Sequence, residues 1–414
     1  MGRLRHPARG KPAHHNSKRA HNSKPAHHKM SLVSHNKGND VITTQAFPTI
    51  RALQRSAWND CFPGALEDWD YYVAVENAAI DDFQWRYLAV YDNGTLVAVA
   101  AAFITHYRLD TTVSGAGKRL AERVERLWPG VLQLGLYAIG SPVAERCDAG
   151  VASGVPESRR PLLLKHLLEA ARQDADDFGI GLVAVKDAPS QDPYWLDSCR
   201  AVGFQSMPSL PTGVLPLPYG SVDAYLGSLG KSTRKDLRRK LRAPGPRVEW
   251  RGNIDDVLPE VMGLYEATLK RAELQFEHLP AGYFTGVLER LGDRAVCVLY
   301  WVDEQLVAFN LLLLDEHRLV DKFFAHDVAF SRDYNLYFRS WLTNVDYCIQ
   351  HNIAVYECGQ AGYASKLRLG CEFQGNSVFF RHRNRLVNGL LTLVKLFIRP
   401  DRSDPAMAAA ISET

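Results

Sequence analysis

The chain of 414 residues has no CxxC pair: Cys61, Cys147, Cys199, Cys297, Cys348, Cys358 and Cys371 stand apart and leave one over if the rest paired. That argues against a paired-cysteine zinc site or a disulfide framework and fits a reduced, cytoplasmic setting. It also lacks an excess of one charge, since 49 Lys and Arg face 46 Asp and Glu for a net +3. With no zinc-finger or helix-turn-helix pattern either, DNA binding is disfavoured. No long hydrophobic run exists. The best candidate, LVNGLLTLVKLFI from Leu386 to Ile398, spans thirteen residues and is interrupted by Asn388, Gly389 and Lys395. It is too short to cross a bilayer. Flanked by Arg381, Arg383, Arg385 and Arg399, it reads as a helix docked on the body of the protein, with at most peripheral membrane contact. GxSxG and HExxH are missing, which disfavours a serine hydrolase or a metalloprotease.

What is present suits an enzyme of ordinary size. With 46% hydrophobic and 23% charged residues, the chain can bury two cores. Residues 1–45 differ from the rest. Seven of the fourteen histidines lie before Asn36, within the near-repeat KPAHHNSK and RAHNSKPAHHK. This stretch cannot build a core and is expected to be a disordered tail, or a segment ahead of a start at Met30. The pairs His14-His15 and His27-His28 are at best weak metal ligands, and no metal site is expected. No apolar core follows the basic residues, so no signal peptide is expected.

The densest information lies between Leu319 and Phe373. The strand LVDKFF leads through a polar loop, AHDVAFSRDYN, to a helix from about Leu336 to Gln350. Its Leu336, Trp341, Leu342, Val345 and Ile349 fall largely on one side. A strand from Ala354 to Cys358 then enters GQAGYASKLRLG. Polar loops at the exits of such a crossover are where α/β proteins commonly hold ligands.

The order of elements occurs twice. WRYLAVYDNGTLVAVAAAFITHY carries a hairpin turn at Asp92-Asn93-Gly94 and is followed by a helix and the strand IGLVAVKDA. AVCVLYWVDEQLVAFNLLLLDEHRLVDKFFA is likewise followed by a helix and IAVYECG. Two related α/β domains of the α+β type are expected at 47–215 and 221–385. Each would be a mixed, mostly antiparallel sheet flanked by helices, with a C-terminal helix and tail over 386–414. The proline-rich LPTGVLPLPYG would join them as an extended connector.

With this doubled order, YLGSLGKSTRKDLRRKLR, YECGQAGYASKLRLGCEF, GSPVAERCD and LVAVKDAP resemble the FemAB-like N-acyltransferases of the GNAT superfamily from about residue 50 to 385. The resemblance implies two tandem GNAT-like domains and transfer of an acyl or aminoacyl group to a small-molecule or peptide amine. It also implies that nothing is bound tightly as a cofactor. The donor is a co-substrate, acyl-CoA foremost and aminoacyl-tRNA as the alternative, which makes tRNA a potential partner. A degenerate, non-catalytic recognition protein is the third option. The chain departs from acetyl-CoA-dependent members where their glycine-containing pyrophosphate loop belongs, because HDVAFSRDYNLYF has no glycine. Candidate donor-binding residues there are Arg332, Asn335, Leu336 and Tyr337, with the helix start able to receive an anion.

Seven Lys or Arg and one acid fall between Lys231 and Arg242. Lys231, Arg234, Lys235, Arg238 and Arg239 are candidate phosphate ligands, although such runs are often only solvated faces. Gly359, Gln360 and Gly362 are added as phosphate- or acceptor-binding residues. Amide formation needs a base, stabilisation of an oxyanion and a proton for the leaving group. Glu357 is the expected base, unless it is held in an ion pair with Lys366 or Arg368. Tyr363 is the expected proton donor, unless it is a packing tyrosine, and Lys366 would bind the acceptor or the oxyanion. His326 and Asp327 are secondary acid or base candidates. Cys358 has no histidine partner to activate it.

Overall fold

The computed structural model describes residues 35–36, 41–108, 133–271 and 277–395. The histidine-rich stretch before residue 35 lies outside them. In chain order the elements begin with β1 (His35–Asn36), β2 (Val41–Phe47), α1 (Arg55–Cys61), α2 (Trp69–Ala78), β3 (Gln84–Asp92), β4 (Thr95–Arg108), β5 (Gln133–Ile139) and β6 (Gly150–Val151). Next come α3 (Arg160–Asp177), β7 (Leu182–Pro189), α4 (Pro193–Ala201), β8 (Gln205–Pro208), β9 (Thr212–Pro216), α5 (Val222–Ser228) and α6 (Lys231–Lys240). There follow β10 (Arg247–Arg251), α7 (Leu258–Leu269), α8 (Ala281–Leu291), β11 (Ala295–Val302), β12 (Gln305–Leu314) and β13 (Arg318–His326). The last are α9 (Val328–Tyr334), α10 (Leu336–Gln350), β14 (Val355–Gly359), α11 (Tyr363–Arg368), β15 (Glu372–Gln374), β16 (Asn376–His382) and α12 (Arg385–Val394).

These form two sheets, ordered β1-β2-β3-β4-β5-β7-β16-β8, with β6 on β4, and β10-β11-β12-β13-β14-β9-β15. Both are antiparallel except for one parallel step each, β5 to β7 and β13 to β14. The mixed, mostly antiparallel fold is as expected. So is the β3–β4 hairpin, whose Asn93 and Gly94 adopt φ 48° and 82°, as a tight two-residue turn with positive φ requires.

Domain limits drawn along the sequence do not coincide with the sheets. Strand β9, inside the expected connector, lies between β14 and β15 of the second sheet. Strand β16, from the expected second domain, lies between β7 and β8 of the first. Each half thus inserts one strand into the other's sheet. Pro211 precedes β9 and Pro216 is its last residue, so neither removes a hydrogen bond from its middle, and Gly213 and Val214 pair on both sides. The expected tail limit at 45 is also too late, because Val41–Phe47 pairs with β3. The polar loop before α10 folds as α9, capped by the Asp327 side chain and ended by Asn335 at φ 52°.

A core shared by both halves joins the sheets. Trp58, Tyr71 and Tyr72 from the first half pack in one cluster with Tyr283, Phe284 and Phe309 from the second. The Tyr71 and Tyr283 hydroxyls lie 3.0 Å apart. Each such side chain contributes about 1.5–3 kcal/mol by leaving water, so the halves form one body rather than beads on a linker.

Candidate active site

Strands β13 and β14 pair only at Arg318↔Val355, Leu319↔Tyr356 and Val320↔Glu357. Beyond that they part. On β13, Leu312 faces Asp321 and Leu311 faces Phe323, which leaves Lys322 as the extra residue of a β-bulge. A bulge bends a strand and redirects its side chains. Here it sends Asp321 toward α10 and Lys322 toward the first half.

The Lys322 ammonium donates to Glu67 Oε1 at 2.5 Å and to the Val143 carbonyl at 2.7 Å. Burial opposes its charge, but Glu67, Tyr283 and Glu145 more than offset this, and it titrates above the ordinary lysine range. Glu145, from the loop after β5, reaches the end of β14. A Cβ built on Gly359 would sit 2.7 Å from Glu145 Oε1, and Gly359 has φ 81°, so the position favours glycine twice over. Gln360 ties the Glu145 loop down by donating to the Glu145 carbonyl at 2.8 Å and the Leu210 carbonyl at 3.0 Å. Burial pushes the Glu145 carboxyl up. Lys322 and Lys366 pull it back, Glu67 and Glu357 push further, and it titrates at about 7. A carboxylate with that pKa and no ion-pair partner among the described residues is equipped to exchange protons near neutrality.

Across β13, Asp321 accepts from Tyr356 Oη at 2.9 Å and Asn310 Nδ2 at 2.9 Å. Burial raises its carboxyl to about 6 against the pull of Tyr356, Lys366 and Asn310. Ser340 donates to Asn310 Oδ1 and Asn344 Nδ2 to Tyr356 Oη at 3.1 Å, which ties α10 to the sheet beside the point where β13 and β14 part. Tyr337 Oη and His326 Nδ1 are buried with no hydrogen-bond partner among the described residues. Tyr337 Oη is 3.7 Å from a Cβ built on Gly362, which places it beside the glycine turn that follows β14.

The expected catalytic trio divides. Glu357 pairs with Arg318, at 3.6 Å, rather than with Lys366 or Arg368, because parallel β13 brings Arg318 alongside. Tyr363 is buried and donates to the Pro211 carbonyl at 3.1 Å. Lys366 is buried and donates to the carbonyls of Cys358 and, at 2.9 Å, Gly359. Tyr363 and Lys366 therefore hold the end of β14 and its junction with β9. Asp327 caps α9, donated to by Ala329 N at 2.8 Å, and burial followed by Arg271 disfavours charge on His326. Arg332 is exposed, Asn335 makes the turn between α9 and α10, and Leu336 is core. Cys358 Sγ lies 3.2 Å from Cys371 Sγ, buried and without a histidine partner.

Helix α6 docks through Leu237 and leaves Lys231, Lys235, Arg238 and Arg239 exposed, whereas Arg234 donates to the Gly227 carbonyl at 2.7 Å. Asp236 pairs with Arg368 of α11 at 3.6 Å, and Lys240 lies 3.7 Å over the Phe338 ring of α10. The basic helix is thus beside both elements that frame the opening. Glu67, Glu145 and Lys322 are absent from the sequence-derived candidates. The only signal was a charged pair, Asp321 and Lys322, within an otherwise apolar strand, and Glu145 within GSPVAERCD.

Residues 231–367 match the model of the acetyltransferase (GNAT) domain. No curated protein is similar to the chain at a significant level. Among solved structures, FemX is 15% identical, with 85% of this chain and 100% of that one covered at a TM-score of 0.55. A tandem GNAT protein from the clavulanic acid biosynthesis pathway is 13% identical over 82% of this chain and 99% of that one, at 0.49. L-PGS from Bacillus licheniformis is 12% identical over 80% and 95%, at 0.47. Residues 231–367 are thus similar to a GNAT domain, and the likeness to FemX shows that the chain as a whole, with its two mostly antiparallel sheets, shares that fold.

Proposed function

We propose that this GNAT-fold transferase is an N-acyltransferase that moves an acyl group from a thioester donor, acyl-CoA foremost, to an amine held between the two halves. The observation that carries this reading is the Glu145 carboxylate. It lies against Gly359 where β13 and β14 part, and its pKa is about 7. Glu145 takes a proton from the acceptor ammonium. The freed amine forms the C–N bond, the C–S bond breaks, and the thiolate leaves and is protonated. Lys322 and Lys366, buried cations that both act on Glu145, set a positive field in which the tetrahedral oxyanion is stabilised. The donor lies in the opening near Tyr337 and His326, whose unpaired polar atoms it would satisfy.

A second donor, aminoacyl-tRNA, is favoured by one observation. The place of a glycine loop is taken by α9, while α6 beside it exposes Lys231, Lys235, Arg238 and Arg239. Such a surface suits a long polyanion. The test is a titration of the full chain with acetyl-CoA, a long-chain acyl-CoA and a charged tRNA pool at one salt concentration, followed by transfer assays with a panel of amines. Saturable CoA binding with thiol release on adding an amine supports the thioester reading, and binding of charged tRNA alone replaces it. Transfer at an undiminished rate by Glu145→Gln would remove Glu145 from the chemistry.

A further inference from the structure

Helix α12 presents two faces of different character. Toward the body, Leu391 packs with Leu182, Ala184 and Phe380, and Asn388 Oδ1 accepts from His382 N at 2.9 Å. Lys395 Nζ also donates to the Ser206 carbonyl, at 3.4 Å. On the opposite face Leu386, Leu390 and Leu393 are 86%, 59% and 58% exposed. Their spacing of four and three residues puts them within one narrow stripe. The other large exposed hydrophobics among the described residues, Val41, Leu162, Val248 and Val328, are scattered singly, as is ordinary for a surface.

The charge along this segment of the chain has one sign. From Asn376 to Pro400 the sequence holds Arg381, Arg383, Arg385, Lys395 and Arg399 and no carboxylate. Arg383 and Arg385 are exposed at the start of the helix, with Arg383 only loosely paired to Asp176 at 3.4 Å. Two copies of this face meeting across a two-fold axis would bring like charges together. An anionic bilayer complements both features, since it accepts leucines at the acyl boundary and arginines at the phosphates.

We propose that α12 is a membrane-surface helix, seating Leu386, Leu390 and Leu393 in the interface of an anionic bilayer with Arg383 and Arg385 against the lipid phosphates. The test is flotation of the full chain with vesicles of phosphatidylcholine alone or of an equimolar mixture with phosphatidylglycerol. Binding should be at least about tenfold stronger to the anionic vesicles and should weaken with salt. The triple change Leu386→Ser, Leu390→Ser, Leu393→Ser and the pair Arg383→Glu, Arg385→Glu should each lower it by about tenfold. Thermal unfolding of the leucine variant should match the parent, because its altered side chains face solvent, and the arginine variant, which gives up only the exposed contacts of Arg383 to Asp176 and Gly179, should stay folded. The pair Arg238→Glu, Arg239→Glu on α6 should leave vesicle binding in place.

Failure of the parent chain to float, equal binding to both vesicle types, or binding that survives the leucine changes would overturn the proposal. So would binding lost only through α6, or a parent dimer in sedimentation that the leucine changes dissolve.

Discussion

The ends of strands β7 and β14 occupy the same position in their respective sheets and differ in how they are filled. Each runs parallel to its neighbour, and each is flanked by a strand inserted from the other half. At β7 the end is closed by its own residues. Lys186 Nζ donates to Asp187 Oδ2 at 2.6 Å and to the Ala144 carbonyl at 2.8 Å, and Asp187, at φ 54°, accepts from Ser209. At β14 the end is glycine, and the carboxylate against it, Glu145, comes from the other half without an ion-pair partner among the described residues. The difference teaches that two equivalent strand ends of a doubled fold can be filled differently by local side chains, and on the proposed reading only the β14 end is left free to react.

The halves also differ in how they treat a buried acid. Asp174 is paired with buried Arg86 through two contacts of 2.6 and 2.7 Å. Among the described residues Asp321 has only hydroxyl and amide partners, and its carboxyl rises to about 6. Full charge neutralisation suits a structural joint, and a carboxyl held near neutrality suits the neighbourhood of a reactive site.

The largest expected effect sharpens the contrast between strand ends. Glu145→Gln should lower kcat by about 10²–10⁴-fold with donor affinity kept, whereas Lys186→Met should affect stability and leave turnover within a few-fold. Equal losses of turnover in both would break the comparison. Next, Asp321→Ala should destabilise the protein by about 2–4 kcal/mol in urea unfolding, since it strands the Tyr356 hydroxyl and the Asn310 amide in the interior. Gly359→Ala should cost about 1–2 kcal/mol from its positive φ and reduce turnover as well, because the new methyl group displaces Glu145.

A smaller effect concerns pH. The folded-state pKa of Glu145, about 7, lies above the ordinary 4.5, so between those values the folded protein binds more protons than the unfolded one. Stability therefore falls as pH rises from 4.5 through 7, and Glu145→Gln removes that fall. The variant should match the parent near pH 4.5 and exceed it by about 1–2 kcal/mol at pH 8, after allowance for the partial exposure of the carboxylate. Smallest is the pair Arg238→Glu, Arg239→Glu, which should weaken donor binding several-fold at low salt and little at high salt, as read by titration.

Much of the fold was legible because local chemistry agreed with it. The hairpin at Asn93-Gly94, the amphipathic α10 and the doubled order of elements are written in turn residues and periodicity. The exchange of β9 and β16 was not, since pairing across the halves leaves no local mark beyond two prolines at strand ends. The same reason hid the candidate site. Glu357, Tyr363 and Lys366 lie around the glycine turn, but their partners, Arg318, the Pro211 carbonyl and the carbonyls of Cys358 and Gly359, depend on which strands meet. Glu145 lies 214 residues from Gly359 in sequence (359 − 145) and becomes its neighbour only through the shared core.

The most direct test of the account is the pKa of Glu145 itself, followed by carboxyl carbon NMR across pH 4 to 9 and assigned by the resonance that Glu145→Gln removes. The account predicts a midpoint at about 7. A midpoint near the ordinary 4.5 would contradict it, leaving a carboxylate too weakly basic for the proposed role and no distinction between the ends of β14 and β7.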